Sequence, residues 1–345
     1  MTSGHSLRVL LAIMLPTLLL SCERPVDERP VSRLSGATMG TTFSIQLVAP
    51  PHGVSMTTLE DQVTKTLASI EASMSTYRPD SELSRFNAHS GSDWFVVSAE
   101  LCAVVAAAQG LSHLTGGAFD ITVGPLVNLW GFGPDITVAQ PPGAERIAEA
   151  MRLTGNQHLQ TDCSVPALAK ALPALYVDLS AYAKGYAVDR IASLLSDFGA
   201  SNYFVEIGGE IRVTGSNAHN QPWSIAIEAP HRGASSVTRV VELSDASMAT
   251  SGDYRNYFEH DGRIYSHTID PRSGYPVSHS VAAVSVVADS TALADGLATA
   301  LLVLGPIEGM QFAEQQDIAA LFQLRTDAGV QERMSTRFAR ELAKP

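Results

Sequence analysis

Hydrophobic residues recur with two different periods along this chain of 345 residues, and the order of the two patterns constrains its fold. Alternate residues are apolar in stretches such as 42–48, which is typical of strands, whereas residues 59–74 show the spacing of an amphipathic helix. Several strand patterns follow one another without a helix between them. Because a doubly wound parallel sheet needs regular β-α-β alternation, this order favours an α+β fold.

The same patterns, with the turn residues between them, predict the individual elements. Strands are expected at residues 42–48, 175–179, 203–207, 211–213, 223–227, 281–288 and 318–324, with a hairpin at 254–270 that turns at Asp261 and Gly262. Helices are expected at residues 59–74, 101–111, 188–198 and 290–304, the second capped by Ser98 and the last stopped by Gly305 and Pro306. Residues 75–87 are expected to form an ordered loop.

The first 34 residues differ in character from the rest of the chain. Arg8 precedes an apolar run at 9–20 that is short for a membrane span, and Ser21 and Cys22 then match a lipoprotein processing site. We expect a signal peptide at 1–21, a lipid on Cys22, a Pro-rich tether at 22–34 and one folded domain at 35–345. An ordinary signal peptide or an uncleaved anchor is the alternative.

Composition limits the partners that such a domain can have. The chain is 45% hydrophobic, which suffices for a large core, and it carries a formal net charge of −12. It has no basic stripe, so nucleic acid is not expected as a partner. A polyanionic ligand would be repelled at long range and would need a metal or local cations. Cys102 and Cys163 are too few for a disulfide scaffold, and the sequence leaves open whether they pair.

A glycine-rich segment at 116–134 places the carboxylate of Asp120 between Phe119 and Ile121. Glycines let the backbone approach another group closely, so the segment suits the wall of a ligand site. An Asp that caps a turn fits the same composition equally well, because such turns are common where Gly and Pro cluster. The residues alone leave both interpretations open.

Asp295 and Thr299 are four residues apart in the helix predicted at 290–304, so their oxygens project from one face. Hard oxygen ligands of this kind suit Mg²⁺, which also binds substrate phosphates. The alternative is a solvated face on which the threonine hydroxyl bonds to the preceding turn. The surrounding residues are mostly Ala and Leu, which predicts a buried helix, and a buried carboxylate needs a partner.

His267 is the best general-base candidate by residue type, although a histidine beside the Asp270-Pro271 turn can also be a turn stabiliser. The dinucleotide-binding, P-loop and serine-hydrolase glycine motifs do not occur in the sequence. Other polar groups in glycine-rich settings are Asp178 with Lys184, Tyr77 with Arg78, and Glu206 with Glu210.

Several segments, taken in order, resemble the ApbE family of FAD:protein FMN transferases. They are GATMGTTFSI at 36–45, STYRPDSELSRFN at 75–87, GGAFDITVGPLVNLWGFG at 116–133, VDLSAYAKGYAVD at 177–189, SGDYRNYF with SHTIDPRSG within 251–274, and ADSTALADGLATALLVLG at 288–305. The resemblance covers nearly the whole chain from Gly36 to Gly305. The lipoprotein signal is also similar to that of the family.

The resemblance implies a compact mixed-sheet α+β body with FAD bound between two halves. It implies FAD contacts at Met39, Tyr77, Ala118, Phe119, Asp120, Asp178, Lys184 and Ile269. It further implies a Mg²⁺ site made by the main-chain carbonyl of Ala181 with Asp295 and Thr299, and it gives catalytic roles to His267 and Asp295. Ser180, Tyr182 and Ile121 depart from the usual family residues, which affects the expected loop shape.

The implied reaction moves FMN from FAD onto a threonine or serine hydroxyl of a target protein and releases AMP. Known targets in the family are flavin-bearing subunits of Na⁺-translocating NADH:quinone reductase (Nqr) and Rnf-type complexes. The expected location is the periplasmic side of a bacterial envelope, with the anchor in the inner membrane rather than the outer. A Mg²⁺-dependent FAD pyrophosphatase and a flavin-binding lipoprotein without turnover are the alternatives.

Overall fold

The computed structural model describes Met1 and residues 29–51, 53–134, 140–231 and 236–342. Apart from Met1, the predicted signal peptide lies outside the described residues, as do Cys22 and most of the predicted tether.

Strands and helices alternate irregularly in the described chain. The strands are β1 (Val31–Thr38), β2 (Thr41–Val48), β3 (Phe95–Val96), β4 (Leu159–Asp162), β5 (Ala167–Lys170), β6 (Tyr203–Ile207), β7 (Glu210–Thr214), β8 (Trp223–Glu228), β9 (Val237–Leu243), β10 (Ala246–Gly252), β11 (Tyr257–His260), β12 (Arg263–Ser266), β13 (Ile269–Asp270), β14 (Tyr275–Pro276), β15 (Val281–Ala288), β16 (Ala319–Thr326) and β17 (Gly329–Met334). The helices are α1 (Met56–Met74), α2 (Glu82–Ala88), α3 (Ala99–Leu114), α4 (Gly124–Leu129), α5 (Ala144–Met151), α6 (Ala183–Asp197), α7 (Thr291–Gln315) and α8 (Thr336–Glu341), with 3-10 turns at Ile121–Val123 and Asn156–His158.

An eight-stranded antiparallel sheet in the order β1-β2-β6-β7-β10-β15-β16-β17 organises the body. Alternate residues of its strands face different cores: Ala320 and Phe322 pack with α1, α3, α6 and α7, whereas Ala319 and Leu321 pack with the β8-β9 ribbon and α8. The sheet is therefore covered on both faces, and the predicted α+β class is confirmed. By length and composition α7 could cross a membrane, but most of its apolar stretch is buried in the body, as in a core helix.

The strand predicted at 175–179 is wrong, because those residues form no strand in the structure. Leu175, Val177 and Leu179 are buried and alternate as in a strand, which explains the misleading pattern. The side-chain amide of Asn87 takes the place of a neighbouring strand: it donates to the carbonyl of Val177 at 2.9 Å and accepts from its N–H at 2.8 Å. The loop predicted at 75–87 also needs correction, since it ends in α2, which Ser81 caps.

The ends of the body differ from the prediction as well. Residues 31–34, assigned to the tether, form the first half of β1 and pair with β2, so the folded body includes them. Beyond β16 the chain adds β17 and α8, which the sequence patterns do not predict. At Gly305, with φ 77° and ψ −166°, α7 breaks as predicted, but helical structure resumes from Pro306.

A disulfide joins Cys102 of α3 to Cys163, just after β4, with the two Cα atoms 5.7 Å apart. It fastens the small sheet β3-β5-β4 to the helical layer. The pairing that the sequence left open is therefore formed.

Candidate active site

A cleft of about 700 Å³ is lined by the start of α6, part of α7, strands β7 and β10, and loops near residues 118–132 and 254–271. Its volume lies in the range typical of small-molecule sites. The predicted site residues that line it are Tyr77, Ala118, Phe119, Asp120, Asp178, Ala181, Lys184, His267, Ile269, Asp295 and Thr299. The structure thus brings together residues that are far apart in sequence.

Met39 does not line this cleft. It lies in the tight turn between β1 and β2 with φ 49°, and its N–H donates to Glu71 Oε1 at 2.5 Å. Its side chain packs against the main core. In the structure Met39 therefore has a turn and packing role, and its predicted contact with FAD stays a prediction.

The carboxylate of Asp120 caps a turn. Its Oδ1 accepts from the N–H and the hydroxyl of Thr122 at 2.8 and 2.7 Å, and its Oδ2 accepts from the N–H of Asn156 at 3.1 Å. A Cβ at Gly124 would come within 2.3 Å of the Tyr176 ring, so this glycine is required by packing within the protein. The turn-capping interpretation is therefore confirmed. The segment also lines the cleft, and its role in a ligand site stays a prediction.

Asp178 and Tyr77 lie at the cleft on segments that the body orders. The Asp178 N–H donates to the carbonyl of Ile121 at 2.7 Å, and its Oδ1 accepts from Ser180 N–H at 2.8 Å. Tyr77 is 62% exposed, and its hydroxyl donates to the Phe132 carbonyl at 3.4 Å. Partial burial, with the nearby Asp178 carboxylate, raises the pKa of the Tyr77 phenol.

Asp295 is held at the base of the cleft by the crossing of α6 and α7. At Gly185 a Cβ would come within 2.4 Å of the Thr291 carbonyl oxygen, so glycine allows the two helices to approach. Oδ2 of Asp295 accepts from the Gly185 N–H at 3.2 Å, near the positive end of the α6 dipole. Asp295 is 3% exposed, so the solvated-face alternative is wrong.

Lys184 joins Asp295 to a second buried carboxylate, Glu210. Its Nζ donates to Glu210 Oε1 at 2.6 Å and lies 3.9 Å from Asp295 Oδ2. Glu210 is also 3% exposed, and its Oε2 is buried without a hydrogen-bond partner among the described residues. The sequence marks Glu210 only as one of two glutamates that flank a glycine pair. Its ion pair with Lys184 spans 26 residues and was not predicted.

The electrostatics of this cluster favour an added cation. Burial, partly offset by Lys184, raises the pKa of Glu210 to about 7 and also raises that of Asp295. Burial opposes charge on Lys184, but the attraction of Asp295 and Glu210 outweighs it and raises the pKa of the ammonium. Two carboxylates share one ammonium, so the fully ionised cluster has a surplus negative charge that a divalent cation would offset.

The donor set fits Mg²⁺. Asp295, Thr299 and Ala181 line the same cleft, and the Thr299 hydroxyl is 2.9 Å from that of Ser251. Within the described ranges no cluster of three or more His, Cys, Asp or Glu side chains could hold a metal. A cation here would rely on one carboxylate, neutral oxygens and substrate, which is how Mg²⁺ is commonly bound.

His267 is held in one tautomer. Its Nδ1 lies 3.0 Å from the Asn256 carbonyl oxygen, which also accepts from the His267 N–H at 3.1 Å. Because a carbonyl only accepts, Nδ1 carries the hydrogen and Nε2 keeps its lone pair. Burial lowers the pKa of His267, so its ring is neutral at pH 7. The histidine is therefore ready to accept a proton through Nε2.

A sheet covered on both faces and a polar cleft with buried carboxylates are the features of an α+β enzyme.

A sequence model of the ApbE family matches residues 39–322. The FAD:protein FMN transferase of Vibrio cholerae is 46% identical over 335 residues, covering 97% of this chain and 99% of that protein. That of Haemophilus influenzae is 42% identical over 336 residues, covering 95% of this chain and 96% of that protein.

Solved structures agree with the sequence matches. The flavin transferase ApbE from Vibrio cholerae superposes with a TM-score of 0.84 at 44% identity, covering 91% of this chain and 99% of that one. The chain belongs to the ApbE family.

Proposed function

We propose that this protein moves FMN from FAD onto a threonine or serine hydroxyl of a target protein and releases AMP. The observation that carries the proposal is one cleft lined both by His267, whose Nδ1 contact leaves the lone pair on Nε2, and by Asp295, Thr299 and Ala181. A base and a cation site are the two requirements of phosphoryl transfer to a hydroxyl.

FAD is proposed to lie along the cleft, against Tyr77, Ala118, Phe119 and Ile269. These residues offer aromatic and apolar surface for flavin or adenine rings, and they line the same opening as Lys184. The pyrophosphate would be placed towards Lys184, because the protein is acidic overall and an anion needs a local cation.

Mg²⁺ would be held by the Ala181 carbonyl, the Asp295 carboxylate and the Thr299 hydroxyl. When bound, the ion would neutralise charge that develops on the pyrophosphate. Asp295 is fixed for this task by the Gly185 N–H, and the Thr299 hydroxyl is oriented by Ser251.

His267 would take the proton of the attacking hydroxyl at Nε2. The hydroxyl oxygen bonds to the phosphorus on the FMN side of FAD, and the bond from that phosphorus to the AMP oxygen breaks. AMP leaves with the bridging oxygen, and the target retains FMN as a phosphoester. The Asn256 carbonyl stabilises the imidazolium through Nδ1–H.

The proposed acceptors are flavin-bearing subunits of Nqr and Rnf-type complexes, reached from the periplasmic side of the inner membrane by a protein anchored through Cys22. The Cys102–Cys163 disulfide supports an oxidising compartment, where such bonds persist. Because β1 begins at Val31, a tether after Cys22 would end near residue 30.

The direct test mixes the purified protein with FAD, an acceptor domain and either Mg²⁺ or excess EDTA. Flavin fluorescence on the denatured acceptor, with Mg²⁺ only, is the expected result. Free FMN without labelled acceptor would instead identify an FAD pyrophosphatase. Bound but unchanged FAD would identify a flavin-binding protein without turnover.

A further inference from the structure

Lys184 is shared unequally between two buried carboxylates. Its Nζ lies 2.6 Å from Glu210 Oε1 but 3.9 Å from Asp295 Oδ2. The two acidic groups are buried to the same extent, each being 3% exposed. Since either carboxylate could pair with the ammonium, the position of Glu210 decides which of them does.

Glu210 is placed by the β6-β7 hairpin. Gly208 and Gly209 form the reversal with φ 62° and 101°, and the Gly209 N–H donates to Glu206 Oε1 at 2.7 Å. Glu210 then pairs with Ile207 as the first residue of β7. A Cβ at Gly208 would lie 3.3 Å from Lys184 Cδ, so the turn also packs against the lysine stem.

We propose that Glu210 is a positioning residue that holds the Lys184 ammonium away from Asp295 and so leaves Asp295 able to bind a divalent cation. The inference rests on the proposed metal role of Asp295. An ammonium paired closely with Asp295 would compete with the cation for the same oxygens. A buried ammonium needs a partner, so loss of the Glu210 charge would move Lys184 towards Asp295.

The test of the position needs no metal. In a crystal structure of the Glu210→Gln variant, the distance from Lys184 Nζ to Asp295 should shorten to about 3 Å, an ordinary charge-assisted contact. The Glu206→Gln variant is the matched control, because it removes the same charge from the same hairpin and keeps an acceptor for Gly209. An unchanged Lys184 in Glu210→Gln overturns the proposal.

A second test asks whether this position of Lys184 affects cation binding at Asp295. It measures Mn²⁺ binding by calorimetry without FAD. We expect Glu210→Gln to raise the Kd for Mn²⁺ roughly tenfold. The Lys184 ammonium would then lie beside the cation, and the repulsion of one unit charge at a partly buried site has an effect of this order. Glu206→Gln should change the Kd less than about twofold. In a Lys184→Met background, Glu210→Gln should raise the Kd by a clearly smaller factor, because no ammonium remains to compete and only the lost carboxylate charge acts.

An equal loss of affinity in both backgrounds would make Glu210 a ligand or a simple charge, and it would overturn the positioning role. If Asp295→Ala binds Mn²⁺ like the wild type, the proposed metal site fails, and the cation part of the inference fails with it. The crystal structure of Glu210→Gln distinguishes this failure from a failure of the positioning role, because it reports the position of Lys184 without any metal. Should Glu210→Gln not fold, Glu210→Asp keeps the charge on a shorter side chain and should give intermediate values of distance and Kd.

Discussion

Removal of the Cys102–Cys163 disulfide should lower stability by a predictable amount. The bond closes a loop with a sequence separation of 61 residues. The chain-entropy model gives about 4 kcal/mol at 25 °C for a loop of about 60 residues, and measured values are typically about 2–4 kcal/mol. We therefore expect the Cys102→Ala/Cys163→Ala variant to lose about 3–4 kcal/mol of unfolding free energy.

Urea unfolding followed by tryptophan fluorescence measures this loss, provided that the slope with urea is unchanged. Wild-type protein kept in reductant is the matched control, and it should approach the stability of the variant. Reductant should have no effect on the variant itself. A loss below about 1 kcal/mol would show that packing alone fastens the small sheet to α3, and it would refute the reasoning.

Four further predictions concern the cleft and the segment beside it. Asp295→Ala should abolish transfer with the fold intact, as excess EDTA should in the wild type; wild-type turnover in EDTA would contradict the metal role. His267→Ala should slow transfer by roughly 10²- to 10⁴-fold with FAD affinity nearly unchanged, as single-turnover kinetics and calorimetry can check. Since burial lowers the pKa of His267 below its ordinary 6.5, wild-type activity should fall only as the pH drops below 6.5. Asn87→Ala should cost about 1–3 kcal/mol by denaturant unfolding and weaken FAD binding, because it frees Val177; unchanged affinity would make its role purely structural.

The sequence predicts the elements whose apolar faces are strongly periodic. Strand β2, helices α1, α3 and α6, the β6-β7 hairpin and the β11-β12 turn lie where the patterns place them. The sequence does not predict edge strand β17, because only Val330 and Met334 of its six residues carry apolar side chains, which is too few to show alternation. Residues 175–179 give the opposite error: they alternate like a strand, but they pair with no strand, and a side-chain amide supplies the hydrogen bonds of Val177.

The residues that meet in the cleft could be predicted largely because their motifs resemble, in order, those of a known family. Local chemistry alone left Asp120, His267 and Asp295 each with two interpretations. For two of them, contacts between distant segments show how the carboxylate is held: Gly185 bonds to Asp295 across 110 residues, and Asn156 bonds to Asp120 across 36. The pairing of Lys184 with Glu210 depends on contact between the β6-β7 hairpin and the start of α6, and no local sequence pattern predicts such a contact.

The most direct measurement of the central claim is the intact mass of an acceptor domain after incubation with FAD, Mg²⁺ and this protein, with released AMP counted in the same sample. We expect the acceptor to gain one FMN with loss of water, one AMP per labelled acceptor, and no gain when its threonine is replaced by alanine. AMP and free FMN formed in equal amounts with an unmodified acceptor would contradict the account.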